Sequence, residues 1–173
     1  TIRILLTCVG KSDPVGRYLD RNRFPVATNI QEEGPILAIC RLLRPHAVYL
    51  FYTTAEPDND FTKNAQGVIE LLDQAIPTCQ VHPMPLTTLT DPTDYSQLWP
   101  VFRDAVETIA STHPTESSRF YVNLSPGTSQ METTWHWLVA SRALDARLLQ
   151  VREGRYVRGG GSRVRRVNLP WFG

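Results

Sequence analysis

Residues 119–131 are Arg119-Phe-Tyr-Val-Asn-Leu-Ser-Pro-Gly-Thr-Ser-Gln-Met131, an apolar run that ends in a small, hydroxyl-rich turn. A helical pattern begins directly after this turn. In a parallel α/β sheet, such a turn presents free backbone N–H groups and hydroxyls at the carboxyl edge of a strand, where phosphates and nucleotides bind. The segment therefore predicts an α/β fold and a ligand that carries phosphate groups.

Strand patterns and helical patterns alternate along the rest of the chain, which is typical of a parallel α/β sheet. The predicted strands cover residues 2–9, 47–53, 80–86, 120–124, 147–152 and 163–169. The predicted helices cover residues 30–43, 61–75, 94–112 and 129–143, with a long loop at 11–29 and an acidic turn at 54–60. We expect an α/β, Rossmann-like fold, with a mostly parallel central sheet flanked by helices and a C-terminal β-hairpin. The prolines of the third strand predict a position near the sheet edge.

Length and charge narrow the class of protein. The 173 residues fit one domain over residues 1–173, and a net charge of +1 argues against bulk DNA binding by charge alone. No apolar run is long enough to span a membrane. The chain begins at Thr1 and ends just after an apolar stretch, so we expect a domain cut from a longer protein with a C-terminal effector or regulatory domain.

The cysteines and histidines predict no metal site. Cys8 and Cys40 lie in apolar runs, where cysteine is typically a small core residue, and the odd number of cysteines predicts reduced thiols and a cytoplasmic location. The four histidines are scattered without metal-ligand spacing, and we expect neither a metal nor a cofactor.

Another such loop, called the first loop below, follows the first predicted strand, with the sequence Thr7-Cys-Val-Gly-Lys-Ser-Asp-Pro14. The turn after the strand at 120–124 is called the second loop. In a doubly wound sheet the first strand is central, and the strand at 120–124 is expected beside it, where the strand order reverses. Ligands bind in that crevice, outside the carboxyl ends of the strands. The two loops are therefore predicted to form one site. The alternative is that the hydroxyls at the helix start only cap the helix.

The residue types in these loops suit a phosphate ligand. Gly10 and Gly127 allow close approach of the backbone or a positive φ, and Lys11 supplies a point charge. Hydroxyl hydrogen bonds are expected from Ser12, Ser125, Thr128 and Ser129. Asn123 is expected to orient the second loop or to be a turn residue without a ligand role.

Residues outside the two loops have further predicted roles. Arg17 and Tyr18 lie in the long predicted loop at 11–29, which is expected to overhang the cleft. Arg17 is expected to pair with a phosphate and Tyr18 to stack on an adenine. Trp135 and Trp137 are expected to pack in the core or in a dimer interface. The arginine-rich C-terminal hairpin is expected to be a solvated face, with contact to RNA or to an output domain as the alternative.

The better-known motifs for nucleotide binding and serine hydrolysis are incomplete in this sequence. Gly10-Lys11-Ser12 is similar to the end of a P-loop, but Leu5 stands where that motif requires its first glycine. No GxGxxG follows a strand, and Ser125 lacks the GxSxG elbow of a serine hydrolase. These departures argue against a P-loop protein, a dinucleotide-cofactor enzyme and a serine hydrolase.

The two loops resemble the signature loops of CARF domains, the CRISPR-associated Rossmann-fold sensor domains. The stretches concerned are Leu-Leu-Thr-Cys-Val-Gly-Lys-Ser-Asp-Pro and Asn-Leu-Ser-Pro-Gly-Thr-Ser-Gln-Met. The resemblance implies a homodimeric sensor that binds a cyclic oligoadenylate, expected to be cyclic tetra-adenylate, and controls an attached effector in CRISPR antiviral defence. By motif position, the implied ligand-facing residues are Gly10, Lys11, Ser12, Asp13, Ser125, Gly127, Thr128, Ser129, Gln130 and Met131.

Asp13 is an awkward neighbour for phosphates, so we expect it to contact adenine or ribose hydroxyls, or to cap its own loop. One alternative function is a metal-independent ring nuclease, in which Lys11, Ser12 and Thr128 assist attack by a ribose 2′-hydroxyl. Neither loop carries a strong general base, so we expect binding rather than catalysis. Another alternative is an RNA-end sensor within an RNA-repair transcription activator.

Overall fold

The computed structural model describes residues 1–15, 33–152, 157 and 161–168. Within these residues the order of elements is β1 (Ile2–Cys8), α1 (Pro35–Leu43), β2 (Ala47–Ala55), β3 (Asn59–Asp60), α2 (Thr62–Ala75), β4 (Gln80–Leu86), α3 (Tyr95–Thr112), β5 (Ser118–Asn123), α4 (Ser129–Ala140), β6 (Ala146–Val151) and β7 (Val164–Val167).

The sheet is mostly parallel, with β1 at its centre. β1 pairs with β2 on one side and with β5 on the other, while β4 extends the sheet beyond β2 and β6 extends it beyond β5. β7 is antiparallel to β6, which confirms the predicted C-terminal hairpin. The strand order reverses between β1 and β5, as expected for a Rossmann-like sheet. β4 lies at an edge of the described sheet, as its prolines predicted.

Two helical layers cover the sheet because successive side chains of a strand point to opposite faces. Ile4 and Leu6 of β1 pack in the apolar cluster that includes residues of α3 and α4. Leu5 packs in the second cluster, with residues of α1 and α2. The central strands are buried on both faces, which explains their nearly continuous apolar sequences.

Three predicted boundaries were wrong. α1 begins at Pro35 rather than at residue 30; Glu33 instead forms an isolated bridge with Val15, and residues 30–32 lie outside the described part of the chain. The segment 54–60 is not simply a turn, because β2 continues to Ala55 and pairs antiparallel with β3. α4 ends at Ala140 rather than at residue 143, because the chain turns through a positive φ at Arg142.

The start of α1 has a steric explanation. A Cβ atom on Gly34 would lie 2.1 Å from the backbone oxygen of Ser12, so only glycine allows the first loop to cross this point. The N–H of Gly34 donates to the carbonyl of Pro14 at 2.9 Å, which holds the two segments together. Gly34 itself stays outside the helix, with a ψ of 172°, because the ring of Pro35 disfavours the helical conformation for the residue before it.

Other sequence expectations concern single side chains. Cys8 and Cys40 are buried free thiols, as predicted. Trp135 is fully buried in the core, whereas Trp137 is 47% exposed.

No helix of the described residues combines the length and the apolar character needed to cross a membrane. No cluster of potential metal ligands occurs within the same residues.

We expect Trp135 to be essential for stability. Its ring centroid lies 4.8 Å from that of Phe102 and 5.4 Å from that of Phe51, which joins α4 to α3 and β2. Trp135→Ala should lower the free energy of unfolding in urea by about 3–5 kcal/mol, because it leaves a cavity in the core. The adjacent, partly exposed His136 is the control, and His136→Ala should change stability by about 0.5 kcal/mol or less. Equal losses for the two variants would contradict this assignment.

Candidate ligand-binding site

The two predicted loops meet at the carboxyl edge of the sheet. β1 and β5 are paired up to Thr7 and Asn123, so the loops that follow leave the sheet side by side. A Cβ atom on Gly10 would lie 3.0 Å from the backbone nitrogen of Gly127, which means that the loops are in backbone contact. The prediction that these loops form one region is confirmed.

Gly127 is required by its conformation as well as by space. Its φ is +94°, which side chains of L-residues rarely adopt. An added Cβ would also lie 2.9 Å from the sulfur of Met131 and 3.2 Å from Cβ of Cys8. The turn between β5 and α4 can therefore pass this close to β1 only with glycine at position 127.

A cavity of about 600 Å³ opens over the two loops. This volume lies within the usual range of small-molecule sites, about 300–1,000 Å³. Its lining consists of Val9, Gly10, Lys11, Ser12, Asp13, Pro35, Thr53, Asn59, Phe61, Pro92, Ser125, Pro126, Gly127, Thr128 and Met131. The cavity has three walls: the loop after β1, the loop after β5, and the hairpin formed by the end of β2 with β3.

Two of the predicted hydroxyl donors already have acceptors in the protein. The hydroxyl of Ser125 donates to the carbonyl of Val151 at 3.2 Å and accepts the N–H of the same residue at 2.7 Å. The hydroxyl of Thr128 donates to the carbonyl of Pro92 at 2.7 Å and accepts the N–H of Met131 at 3.2 Å. A hydroxyl has one proton, so in this conformation neither group can donate to a phosphate. Both instead fix the shape of the cavity.

Asp13 braces the first loop. Its side chain is buried, with Oδ2 accepting the N–H of Gly10 at 3.0 Å and Oδ1 accepting the N–H of Ile36 at 3.1 Å. The second bond satisfies a free donor at the start of α1, so Asp13 caps a helix that lies 23 residues further along the chain. Asn64 of α2 donates to the backbone oxygen of Asp13 at 2.7 Å. This geometry supports the loop-capping role rather than contact with ribose or adenine.

Lys11 and Ser12 are the polar side chains that remain available on this wall. Neither forms an ion pair or a side-chain hydrogen bond with the described residues. At the adjacent start of α4, the first-turn N–H groups lack intrahelical acceptors, and the helix dipole favours a negative charge there. One ammonium group, one hydroxyl and a helix N-terminus together suit an anionic ligand.

The predicted site residues divide into three groups. Those that line the cavity are Gly10, Lys11, Ser12, Asp13, Ser125, Gly127, Thr128 and Met131. Those that do not line it are Asn123, Ser129 and Gln130. Arg17 and Tyr18 lie outside the described residues.

Asn123 has a structural contact of its own. It is fully buried, and its side-chain oxygen accepts the N–H of Ser125 at 3.2 Å, which orients the second loop as expected. Sequence reasoning missed the third wall, formed by Thr53, Asn59 and Phe61. Thr53 could have been found, because it ends a buried parallel strand at the same edge of the sheet. Asn59 and Phe61 carried no such signal, since their position depends on the pairing of β3 with β2.

Comparison with solved structures identifies proteins of similar fold. The chain superposes on Csm6 from Enterococcus italicus, bound to cyclic hexa-2'-fluoro-hexa-dAMP, with a TM-score of 0.77 and 19% identity over 98% of this chain. It also matches Can2 from Sulfobacillus thermosulfidooxidans, in complex with cyclic tetra-adenylate, with a TM-score of 0.52 and 13% identity over 86% of this chain. The chain spans 43% of that Csm6 chain and 32% of that Can2 chain.

These likenesses confirm the Rossmann-like fold that the CARF resemblance implied. No protein-family model and no curated protein sequence matches the chain.

The buried carboxyl of Asp13 predicts a pH dependence. Burial raises the pKa of Asp13 from 3.8 to about 7, although the N–H groups of Gly10 and Ile36 oppose the rise. The folded state therefore favours the protonated carboxyl, whose stabilising contribution is complete below about pH 4 and is lost as the pH rises through about 7.

Asp13→Asn removes the ionisable group, so its pH dependence gives the baseline without titration at position 13. Relative to this variant, the wild-type protein should lose unfolding free energy between pH 4 and 8, by at most roughly 4 kcal/mol. Urea denaturation of both proteins over this pH range measures the difference. Parallel stability curves would show that the carboxyl is ionised throughout.

Proposed function

We propose that the chain is a CARF domain that binds a cyclic oligoadenylate across the two-fold axis of a homodimer and thereby controls an attached effector. The observation that carries the proposal is the cavity at the strand-order reversal, where the two CARF-like loops are in backbone contact. The fold likeness to Csm6 and Can2 supports it, because both were solved with a cyclic oligoadenylate or its analogue.

The charges around the cavity favour a phosphate-bearing ligand. Lys11 carries a positive charge without a described ion-pair partner, and the N-terminus of α4 lies beside it. Asp13, the acidic residue of the lining, has both carboxylate oxygens occupied by backbone N–H groups. The lining therefore supplies free donors for phosphate oxygens.

Ring symmetry favours a dimer. A ring with an even number of identical nucleotides can present the same half to each protomer of a two-fold dimer. The CARF resemblance implied cyclic tetra-adenylate, whereas the Csm6 of similar fold was solved with a cyclic hexanucleotide. We therefore propose that even-numbered rings bind in preference to cyclic tri-adenylate, and that titration of the tetra- and hexa-adenylates decides the size.

The hydrogen bonds of Thr128 favour binding over cleavage. Because its hydroxyl donates to the carbonyl of Pro92, it cannot donate to a phosphate at the same time. This leaves Lys11 and Ser12 as the side-chain donors for stabilising a transition state. The carboxyl beside them, that of Asp13, is buried and already accepts two backbone N–H groups, so it is poorly placed to act as a general base. We accordingly propose a sensor, with ring cleavage as the alternative outcome of the experiment.

We expect Lys11→Met to weaken ring binding by about 10- to 150-fold, the usual effect of losing a hydrogen bond to a charged group. Isothermal titration with cyclic tri-, tetra- and hexa-adenylate measures it, and chromatography of the mixtures tests for linear products. Lys63 is exposed on α2 outside the cavity, so Lys63→Met is the control and should bind like the wild type.

Three outcomes would contradict the proposal. If the wild-type protein binds none of the rings, the cyclic oligoadenylate assignment fails. Binding to tRNA fragments alone would select the RNA-end sensor. Linear products with cyclic phosphate ends would select the ring nuclease.

A partly exposed aromatic patch on α3 and α4 supports the homodimer, with Tyr95 and Trp137 exposed and Trp99 partly buried. It consists of Tyr95, Trp99 and Trp137, with the Trp137 ring centroid 5.2 Å from Tyr95 and 6.4 Å from Trp99. Both helices begin at the cavity, since α3 starts three residues after Pro92 and α4 starts immediately after Thr128. We propose that a second copy docks on this patch and that the two cavities then share one ring.

We expect Trp137→Glu to convert the dimer into a folded monomer, because the charge would be buried against the second copy. Leu42 is also exposed, at 63%, but lies on α1, which packs on the opposite face of the sheet from α3 and α4, so Leu42→Glu is the matched control. Light scattering at micromolar concentration measures the mass, and circular dichroism checks the fold. If both variants remain dimeric, the aromatic patch is not the interface. If the wild-type protein is a monomer, the homodimer proposal itself fails.

A further inference from the structure

The third wall of the cavity, the β2–β3 hairpin, suggests how the base of the ligand is recognised. Most polar side chains of the other two walls either form hydrogen bonds within the protein or are suited to binding phosphate. Ser125, Thr128 and Asp13 hold the loops in place, and Lys11 and Ser12 carry the free donors. The hairpin contributes Asn59 and Phe61, the one amide and the one aromatic residue of the described lining.

We propose that Asn59 and Phe61 form an adenine-recognition subsite within the cavity; the proposal rests on the proposed function. The amide of Asn59 hydrogen-bonds the edge of one adenine, and the ring of Phe61 stacks on its face. Lys11 and Ser12 then contact the adjoining phosphate. The subsite makes the cavity selective for adenine over other bases.

The hairpin is held firmly enough for this role. Asn59 is paired with Ala55 in the β2–β3 ladder, and the N–H of Phe61 donates to the carbonyl of Thr53 at 2.9 Å. Between them, Asp60 accepts the N–H and the hydroxyl of Thr62, at 3.1 and 2.6 Å, at the start of α2. The backbone on both sides of the subsite is therefore fixed before a ligand arrives, which lowers the entropy cost of binding.

The chemistry of the two side chains matches adenine. An asparagine amide can donate to N7 of adenine and accept from its N6 amine, a bidentate contact that no other base offers in the same form. An aromatic ring stacks on an unpaired base regardless of its identity. A turn asparagine commonly bonds its own loop, but the side chain of Asn59 has no hydrogen-bond partner among the described residues and lines the cavity.

Base substitution separates recognition from a structural role. Cyclic oligoinosinate carries an oxygen in place of the N6 amine, so it keeps the ring, the phosphates and the stacking surface but loses the bond to the amide oxygen. The wild-type protein should bind the tetra- or hexa-adenylate, whichever is tighter, about 5- to 150-fold more strongly than the matching inosinate ring. Asn59→Ala should weaken adenylate binding by a similar factor and bring the two affinities close to equality.

Phe61 has a different expected signature. Phe61→Ala should weaken binding of both rings by about 5- to 150-fold while the preference for adenylate remains. Phe61→Tyr should keep the affinity of the wild type, because its ring offers the same stacking face. Circular dichroism and urea denaturation of Phe61→Ala check that the loss of binding does not come from a loss of folding. Asp58 is exposed on the same turn and does not line the cavity, so Asp58→Asn is the control and should keep the preference for adenylate.

The outcomes distinguish this inference from the proposed function. If the wild-type protein binds adenylate and inosinate rings equally, or if Asn59→Ala weakens both to the same extent, the subsite is wrong while ring binding stands. If the wild-type protein binds neither ring, both proposals fall.

Discussion

The parallel pairing of β1 with β5 is the constraint on which the site depends. Neighbouring strands that run in the same direction end at the same edge of the sheet, so pairing up to Thr7 and Asn123 places their loops side by side. The chain reaches β2 and β4 on one side of β1 and then crosses to β5 on the other. The crevice between the diverging connections becomes the cavity.

A second set of contacts keeps the cavity in shape. The buried carboxyl of Asp13 joins the first loop to the start of α1, and Asn64 joins the same loop to α2. Ser125 ties the second loop to the end of β6, and Thr128 ties it to Pro92. The polar groups that hold the loops in place are therefore different from those available to a ligand. Lys11 and Ser12 are available to a ligand.

Local pattern was enough to predict most of the fold and two walls of the cavity. The buried strands, the order reversal beside β1, the edge position of β4 and the glycine at 127 all follow from short-range sequence. The two-residue strand β3 was missed, because it exists only through its pairing with Thr54 and Ala55. The start of α1 was misplaced, because the prediction did not use Pro35, which occupies the start of the helix and disfavours a helical conformation at Gly34.

The sequence by itself indicated the strands, the helices and the two glycine-containing turns, because apolar periodicity and strand-to-helix turns are local properties. The meeting of the Gly10 and Gly127 loops was expected from the general topology of doubly wound sheets, and the pairing of β1 with β5 produces it. Only the tertiary structure decided which polar groups remain free. The hydroxyl of Thr128 bonds to a carbonyl 36 residues away, and that of Ser125 to a residue 26 positions away. The residue type shows that a hydroxyl can donate one hydrogen bond. Which acceptor receives that bond depends on residues that only the folded chain brings near.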